Sequence, residues 1–409
     1  MLRKSLVTLL VVVMLAALVP ASALAQDSVT IRFYNFSSDP DHVEDLQTII
    51  DAFEAENPNI TIEVSSAPFA DYFTLLEADL VGGDAPDVFE LNFESFVSYA
   101  ANDVLLDLTP YVSGDAPYYP RALEAFQSDG AQYALPESFS TVLLFFNKDL
   151  FDQAGIDYPT AEWTWDDAMT AAQAIRALGD DVWGIYSPIQ FWEFYKKAAQ
   201  NNCAFFNADM TESTLNSPEC VTALETMVSF VNEDVMPDQT ELAGVANEEL
   251  FLQGKLGMDV IGIWQFAAFA DAPFAWDIQL EPGAAQKAHH FFANGVAVSA
   301  DSEHPEEAAA WAQFLTSSEI AATVRIDAGW ELPAIDVPEY VAAYLEQTPP
   351  DNREAVFEAL ESPVTPPVIE RQTEMQDDLN QLLTAVEMGE LDPQSALDTA
   401  KEQIDGLLQ

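Results

Sequence analysis

Residues 28–66 read SVTIRFYNFSSDPDHVEDLQTIIDAFEAENPNITIEVSS. Val29, Ile31 and Phe33 alternate with polar residues, the period of a strand with one buried face. Ser38-Asp39-Pro40 then supplies an N-cap with Pro in the first helical turn, and Val43, Leu46, Ile50 and Phe53 fall on one face of the helix that follows. Asn57-Pro58 stops that helix, and Ile60, Ile62 and Val64 alternate again. A strand-helix-strand unit of this length implies parallel pairing through a right-handed crossover.

The unit recurs along the chain. Helices are predicted at 70–80, 165–178, 218–232 and 305–315, and strands at 86–91, 142–146, 256–263 and 296–299. Alternation of this kind is the pattern of α/β layers, with helices covering both faces of parallel sheets. Ligands of open α/β sheets sit in a crevice at the strand ends, and with two such lobes the crevice lies between them. The tail differs: Leu379, Leu382, Leu383 and Val386, then Ala396, Ala400, Ile404 and Leu407, mark two amphipathic helices separated by Gly389–Pro393. Leu and Ala at that spacing predict helices docked on a lobe.

The chain has 409 residues and a formal charge of −55, from 69 Asp plus Glu against 14 Lys plus Arg. Such a balance excludes reading nucleic-acid phosphates through a basic face. With 49% hydrophobic and 11% aromatic residues, it does not describe a disordered acidic chain either. Most of the carboxylates are expected on a hydrated surface, and the balance also weighs against phosphorylated or acidic solutes.

Residues 1–25 have the make-up of a secretory signal: Arg3 and Lys4, an apolar run from Leu6 to Val19, and Ala23-Leu24-Ala25 before the expected cleavage. No Cys lies near that point, so a lipid anchor is not expected. Export also suits the two cysteines, Cys203 and Cys220, which an oxidising compartment would pair. A loop of that size would add on the order of 3 kcal/mol of stability.

Catalytic motifs are scarce. There is no G-x-S-x-G, and Gly254, Gly257 and Gly262 fit neither a P-loop nor a dinucleotide fingerprint. His289 and His290, as strand neighbours, would point to opposite faces and chelate poorly, while Asn207, Asp209 and Thr211 lack the rest of a calcium loop. No metal and no cofactor is expected. A pair of acidic residues could still serve a secreted glycoside hydrolase, because sequence spacing does not identify its acid and base. The eight Trp point elsewhere: sugar rings stack on indole while their hydroxyls seek Asn, Asp and Glu. Trp264, Trp330 and Trp192 adjoin turn signals and are the best candidates for platforms.

Tyr133-Ala134-Leu135-Pro136, then Leu144-Phe145-Phe146-Asn147-Lys148-Asp149-Leu150-Phe151, Ala154-Gly155-Ile156 and Trp163-Thr164-Trp165-Asp166-Asp167, together resemble a pattern of the extracellular solute-binding proteins of carbohydrate ABC transporters, of the maltose-binding-protein type. Asn294-Gly295-Val296-Ala297-Val298 and His304-Pro305-Glu306-Glu307-Ala308-Ala309 are similar to further parts of it. The likeness covers nearly all of the chain after the leader.

The resemblance implies an α/β, two-lobed periplasmic-binding-protein fold (a Venus flytrap) with hinge crossings and C-terminal helices. Lobe 1 would comprise residues 26–139 plus 294–332, and lobe 2 residues 140–293 plus 333–409. The crossings fall near Glu137–Val142, Phe291–Gly295 and Gly329–Asp336, where Pro333-Ala334-Ile335 departs from the common P-A-R. Carried over by position, the ligand contacts would be Phe36, Ser38, Asp39, Asn92, Glu94, Glu137, Ser140, Gln190, Trp192, Trp264 and Trp330. The implied protein is an exported monomer, not an enzyme, that binds a neutral sugar or oligosaccharide and delivers it to membrane permease subunits. A polyamine is the alternative solute, since aromatics with carboxylates also hold ammonium groups.

Overall fold

The computed structural model describes residues 28–409 except 38–39, 113–115 and 330–331. The expected leader, Ser38, Asp39 and Trp330 therefore lie outside the described residues. Strands β1 (Val29–Asn35), β2 (Ile60–Ser66) and β3 (Val88–Asn92) alternate with helices α1 (Pro40–Glu56) and α2 (Phe69–Gly82). Helix α3 (Phe93–Ala101) follows, then β4 (Ala134–Ser140) and β5 (Val142–Asn147). Next come α4 (Trp165–Arg176), β6 (Trp183–Tyr186), α5 (Phe191–Gln200), α6 (Pro218–Asn232), β7 (Leu256–Gly262) and β8 (Trp276–Gln279). The remainder holds β9 (Phe292–Val298), α7 (Pro305–Ser317), α8 (Glu319–Ala328), β10 (Leu332–Pro333), α9 (Pro338–Leu345), α10 (Gln372–Glu387) and α11 (Pro393–Leu407).

Two sheets organise these elements. The larger has the order β10-β4-β9-β3-β1-β2 and the smaller β8-β5-β7-β6. The opening unit pairs as expected, β1 running parallel to β2 from Val29↔Ile60 to Asn35↔Ser66. The sheets as a whole are mixed, not parallel: β9 is antiparallel to both β3 and β4, and β5 is antiparallel to β7 and β8. The reason is topological. A strand that arrives from the other lobe enters its sheet from the opposite end to a strand delivered by a local crossover helix.

One face of the larger sheet packs under α1 and α7 around Trp311, whose ring meets Phe33 at 5.7 Å and Phe53 at 5.2 Å. In α1 the buried stripe runs through Leu46, Ile49, Ile50 and Phe53, whereas Val43, placed on that face by periodicity, is exposed. The second core continues from the other face of this sheet into the smaller sheet and on to the tail helices. There Leu379, Leu383, Ala396, Ala400 and Ile404 are buried, so the tail docks as its period predicts, with α11 packed on α6.

The sheets meet at one residue. β4 ends at Ser140 and β5 begins at Val142, leaving Thr141 between them. Its hydroxyl donates to the His290 carbonyl at 2.7 Å, and its own carbonyl accepts from the Ile263 N–H at 3.1 Å. Phe292 pairs with Ser140, so the return strand runs beside the outgoing one. Gly329–Asp336, expected to carry a third crossing, stays with the larger sheet: Leu332 and Pro333 pair with Phe139 and Ser138, and the Ala334 N–H donates to the Glu137 carbonyl. The chain reaches the smaller sheet further on, where Asp351 meets Lys148 at 3.3 Å and the Asn352 N–H donates to Asp277 at 3.0 Å.

Candidate ligand-binding cleft

The ends of β1 and β3 form one wall. Phe36 follows β1, with its ring 5.4 Å from Phe69, 5.4 Å from Tyr72 and 6.4 Å from Phe73. Its backbone N–H donates to Glu90 at 3.0 Å, which ties the loop to the sheet beneath. Asn92 caps α3 by accepting from the Ser95 N–H at 3.0 Å, a local demand that its residue type meets well. Glu94, in the first turn of that helix, is half-buried, and burial pushes its carboxyl up to about 7.

Beneath this wall lies a buried charge cluster. Glu90 and Glu137 share a hydrogen bond, and Arg325 of α8 pairs with Glu137. Burial, and next the Glu137 charge, push the Glu90 carboxyl well above the usual carboxylate range. Glu137, carried over as a ligand contact, is therefore 3% exposed with its carboxylate held by Arg325, and serves the support beneath the cleft. Ile335, where Arg is common in the family pattern, is itself buried.

The opposite wall is aromatic. Trp192 lies in the first turn of α5, its indole N–H donating to the Gln190 side chain at 3.1 Å. Asn380 of α10 accepts from the Phe191 N–H at 2.7 Å and so fixes where the helix begins. Nε2 of His290 lies 2.5 Å from the Trp192 carbonyl, which can only accept, so that nitrogen carries the proton. The His290 ring stacks on Phe292 at 4.8 Å and lies 5.6 Å from Trp192 and 5.3 Å from Tyr195. Phe292 in turn lies 6.2 Å from Trp264. Trp264 is 37% exposed, and its indole lies over Gly262, where any Cβ would run into the ring. A continuous row thus runs Trp264, Phe292, His290, Trp192.

Behind the row sits a second buried cluster. Lys196 Nζ lies 2.5 Å from Glu193 and in contact with Glu281, and Lys197 is 3.3 Å from Glu193. Glu193, Glu281 and His290 are the one set among the described residues that converges closely enough to hold a metal ion. The Lys196 ammonium already sits between the two carboxylates, which makes this a poor metal site.

Of the residues named from sequence, the fold gathers Phe36, Asn92 and Glu94 on one wall and Gln190, Trp192 and Trp264 on the other, with buried Ser140 at the crossing. Sequence reasoning missed Phe292 and His290. Both adjoin the return crossing, and aromatics beside an expected hinge were the available signal. Cys203 and Cys220 form the expected disulfide.

Residues 39–322 match the family of bacterial extracellular solute-binding proteins. The chain belongs to that family. An ABC substrate-binding protein from Listeria monocytogenes, solved in complex with cycloalternan, is 44% identical and superposes with a TM-score of 0.90 over 93% of this chain and 99% of its own. The galactooligosaccharide-binding protein of Bacillus subtilis is 24% identical over 375 residues, 88% of this chain and 86% of its own length. A binding protein of Brucella abortus is 27% identical over 274 residues, and the match spans 63% of that relative's length. These likenesses bear out the maltose-binding-protein type and the two-lobed fold. Among the described residues, no helix of this solute-binding protein is long and apolar enough to cross a membrane.

Proposed function

We propose that this solute-binding protein holds a neutral oligosaccharide between its two lobes and, once closed, delivers it as a monomer to the permease subunits of an ABC transporter. The partly exposed rings Trp264, Phe292 and Trp192, held in one row by the buried His290, carry the proposal, because they offer aromatic surface in series to the apolar sides of successive sugars. The relative in complex with cycloalternan supports the same ligand class. The two lobes, residues 26–139 plus 294–336 and 140–293 plus 351–409, hinge at the strands around Thr141, and residues 1–25 are the export signal. A sugar that touches both walls binds the closed form better and shifts the population toward it.

Charge separates this solute from its rivals. The carboxylates beneath both walls are already matched by Arg325, Lys196 and Lys197, and burial favours the neutral form of Glu94. A polyamine would find few carboxylates to meet, and a sugar phosphate would find no free cation among the described residues named here. No covalent step is required, in contrast to a glycoside hydrolase. A thermal-shift screen of neutral mono- and oligosaccharides, with polyamines and sugar phosphates as controls, tests the ligand class. Stabilisation by neutral oligosaccharides without product release is expected, and stabilisation by polyamines alone would replace the sugar.

A further inference from the structure

A groove of about 410 Å³ opens behind the aromatic row. Tyr195 and Ala199 of α5 form its floor, Phe206 and Met210 one wall, and Pro366 and Pro367 the other. Its volume falls within the roughly 300–1,000 Å³ of small-molecule sites. Both walls are tied to the cleft. The first belongs to the loop that the Cys203–Cys220 disulfide fastens to α6, and Cys203 itself lines the groove. The second continues from Pro363 and Val364, which pair with His289 and His290.

Tyr195 joins groove and cleft. Its ring meets His290 edge-on at 5.3 Å, at the end of the row, while its hydroxyl is buried and makes no hydrogen bond within the chain. A buried hydroxyl left without a partner is costly and uncommon. Burial, and next the Glu94 and Glu193 charges, push this phenol well up, so the hydroxyl stays a neutral donor and acceptor. Phe206, Met210 and the two prolines add apolar surface suited to the C–H face of a pyranose.

We infer that Tyr195 and the groove behind it form a subsite for further sugar units of the same oligosaccharide, so that the protein selects for ligand length. The inference rests on the saccharide reading of the main cleft. The groove receives units that overrun the aromatic row, and a sugar hydroxyl supplies the partner that the Tyr195 hydroxyl lacks.

Titration calorimetry on the exported form, with linear glucose oligosaccharides from maltose to maltohexaose and with cycloalternan, tests it. Two variants probe the groove: Tyr195→Phe removes the hydroxyl, and Ala204→Trp places a large ring at an exposed position of the lining. Each is expected to weaken the longer ligands by about 5- to 10-fold, Tyr195→Phe through a lost hydrogen bond and Ala204→Trp by blocking the groove, while the shortest ligand that binds stays within about twofold. An equal loss at every length, or no loss in either variant, would overturn the subsite. If the wild type binds no saccharide of any length, the saccharide reading fails first, and the missing wild-type signal tells that case apart.

Discussion

The two walls of the cleft each hide carboxylates, and they neutralise them differently. Beneath the Phe36 wall, Glu90 and Glu137 meet a guanidinium, which keeps its charge under all ordinary conditions, so the adjustment falls on Glu90, pushed up by burial and by Glu137. Beneath the Trp192 wall, Glu193 and Glu281 meet lysines, and the adjustment falls on the cations: burial lowers Lys196 to about 8 and drives Lys197 well down. Lys196, Lys197 and Arg325 are buried against carboxylates, three of only 14 Lys plus Arg in a chain of charge −55. Buried lysine and arginine are rare unless paired. In this protein scarce cations are placed where they cancel carboxylates under a cleft that receives a neutral ligand, while the excess of acid faces water.

Removing each cation tests that contrast. Lys196→Met leaves two buried carboxylates without their cation and should cost about 3–5 kcal/mol in urea unfolding. Arg325→Met should cost less, about 2 kcal/mol, because burial and the Glu137 charge already push Glu90 up toward its neutral form, so less uncompensated negative charge is left behind. The reverse order would break the comparison.

Glu94 gives the smallest effect. Its carboxyl is raised from 4.5 to about 7 in the folded protein, so its contribution is complete below pH 4.5 and is lost as pH rises through about 7. Glu387 is raised to about 7 as well, so the wild type alone does not isolate Glu94. The difference in unfolding free energy between wild type and Glu94→Gln, followed from pH 4 to 8, should change by on the order of 1 kcal/mol. A difference independent of pH would mean that Glu94 is solvated like a surface carboxylate.

Much of this fold is legible in the sequence because its signals are local. The period of 29–66, the Pro-started helix at 218–232 and the tail stripes each state a buried face within one element, and the structure keeps them. Strand direction across lobes is not local. That β9 returns antiparallel to β4 depends on where the chain comes back from, which no window of residues around Val296 records. The same holds for the cleft. Trp264 and Trp192 show themselves by neighbouring turn residues, but Glu137 reads as a ligand contact until Arg325, far along the chain, is seen to occupy it. The disulfide was readable from count and compartment alone.

The central claim is that the aromatic row binds neutral sugar, and titration calorimetry of wild type against Trp264→Ala with a neutral oligosaccharide that stabilises the protein tests it most directly. Trp264 is 37% exposed, so its loss should leave folding nearly unchanged. The account predicts binding weakened by about 1–3 kcal/mol through lost stacking area. Unchanged affinity in the folded variant would contradict it.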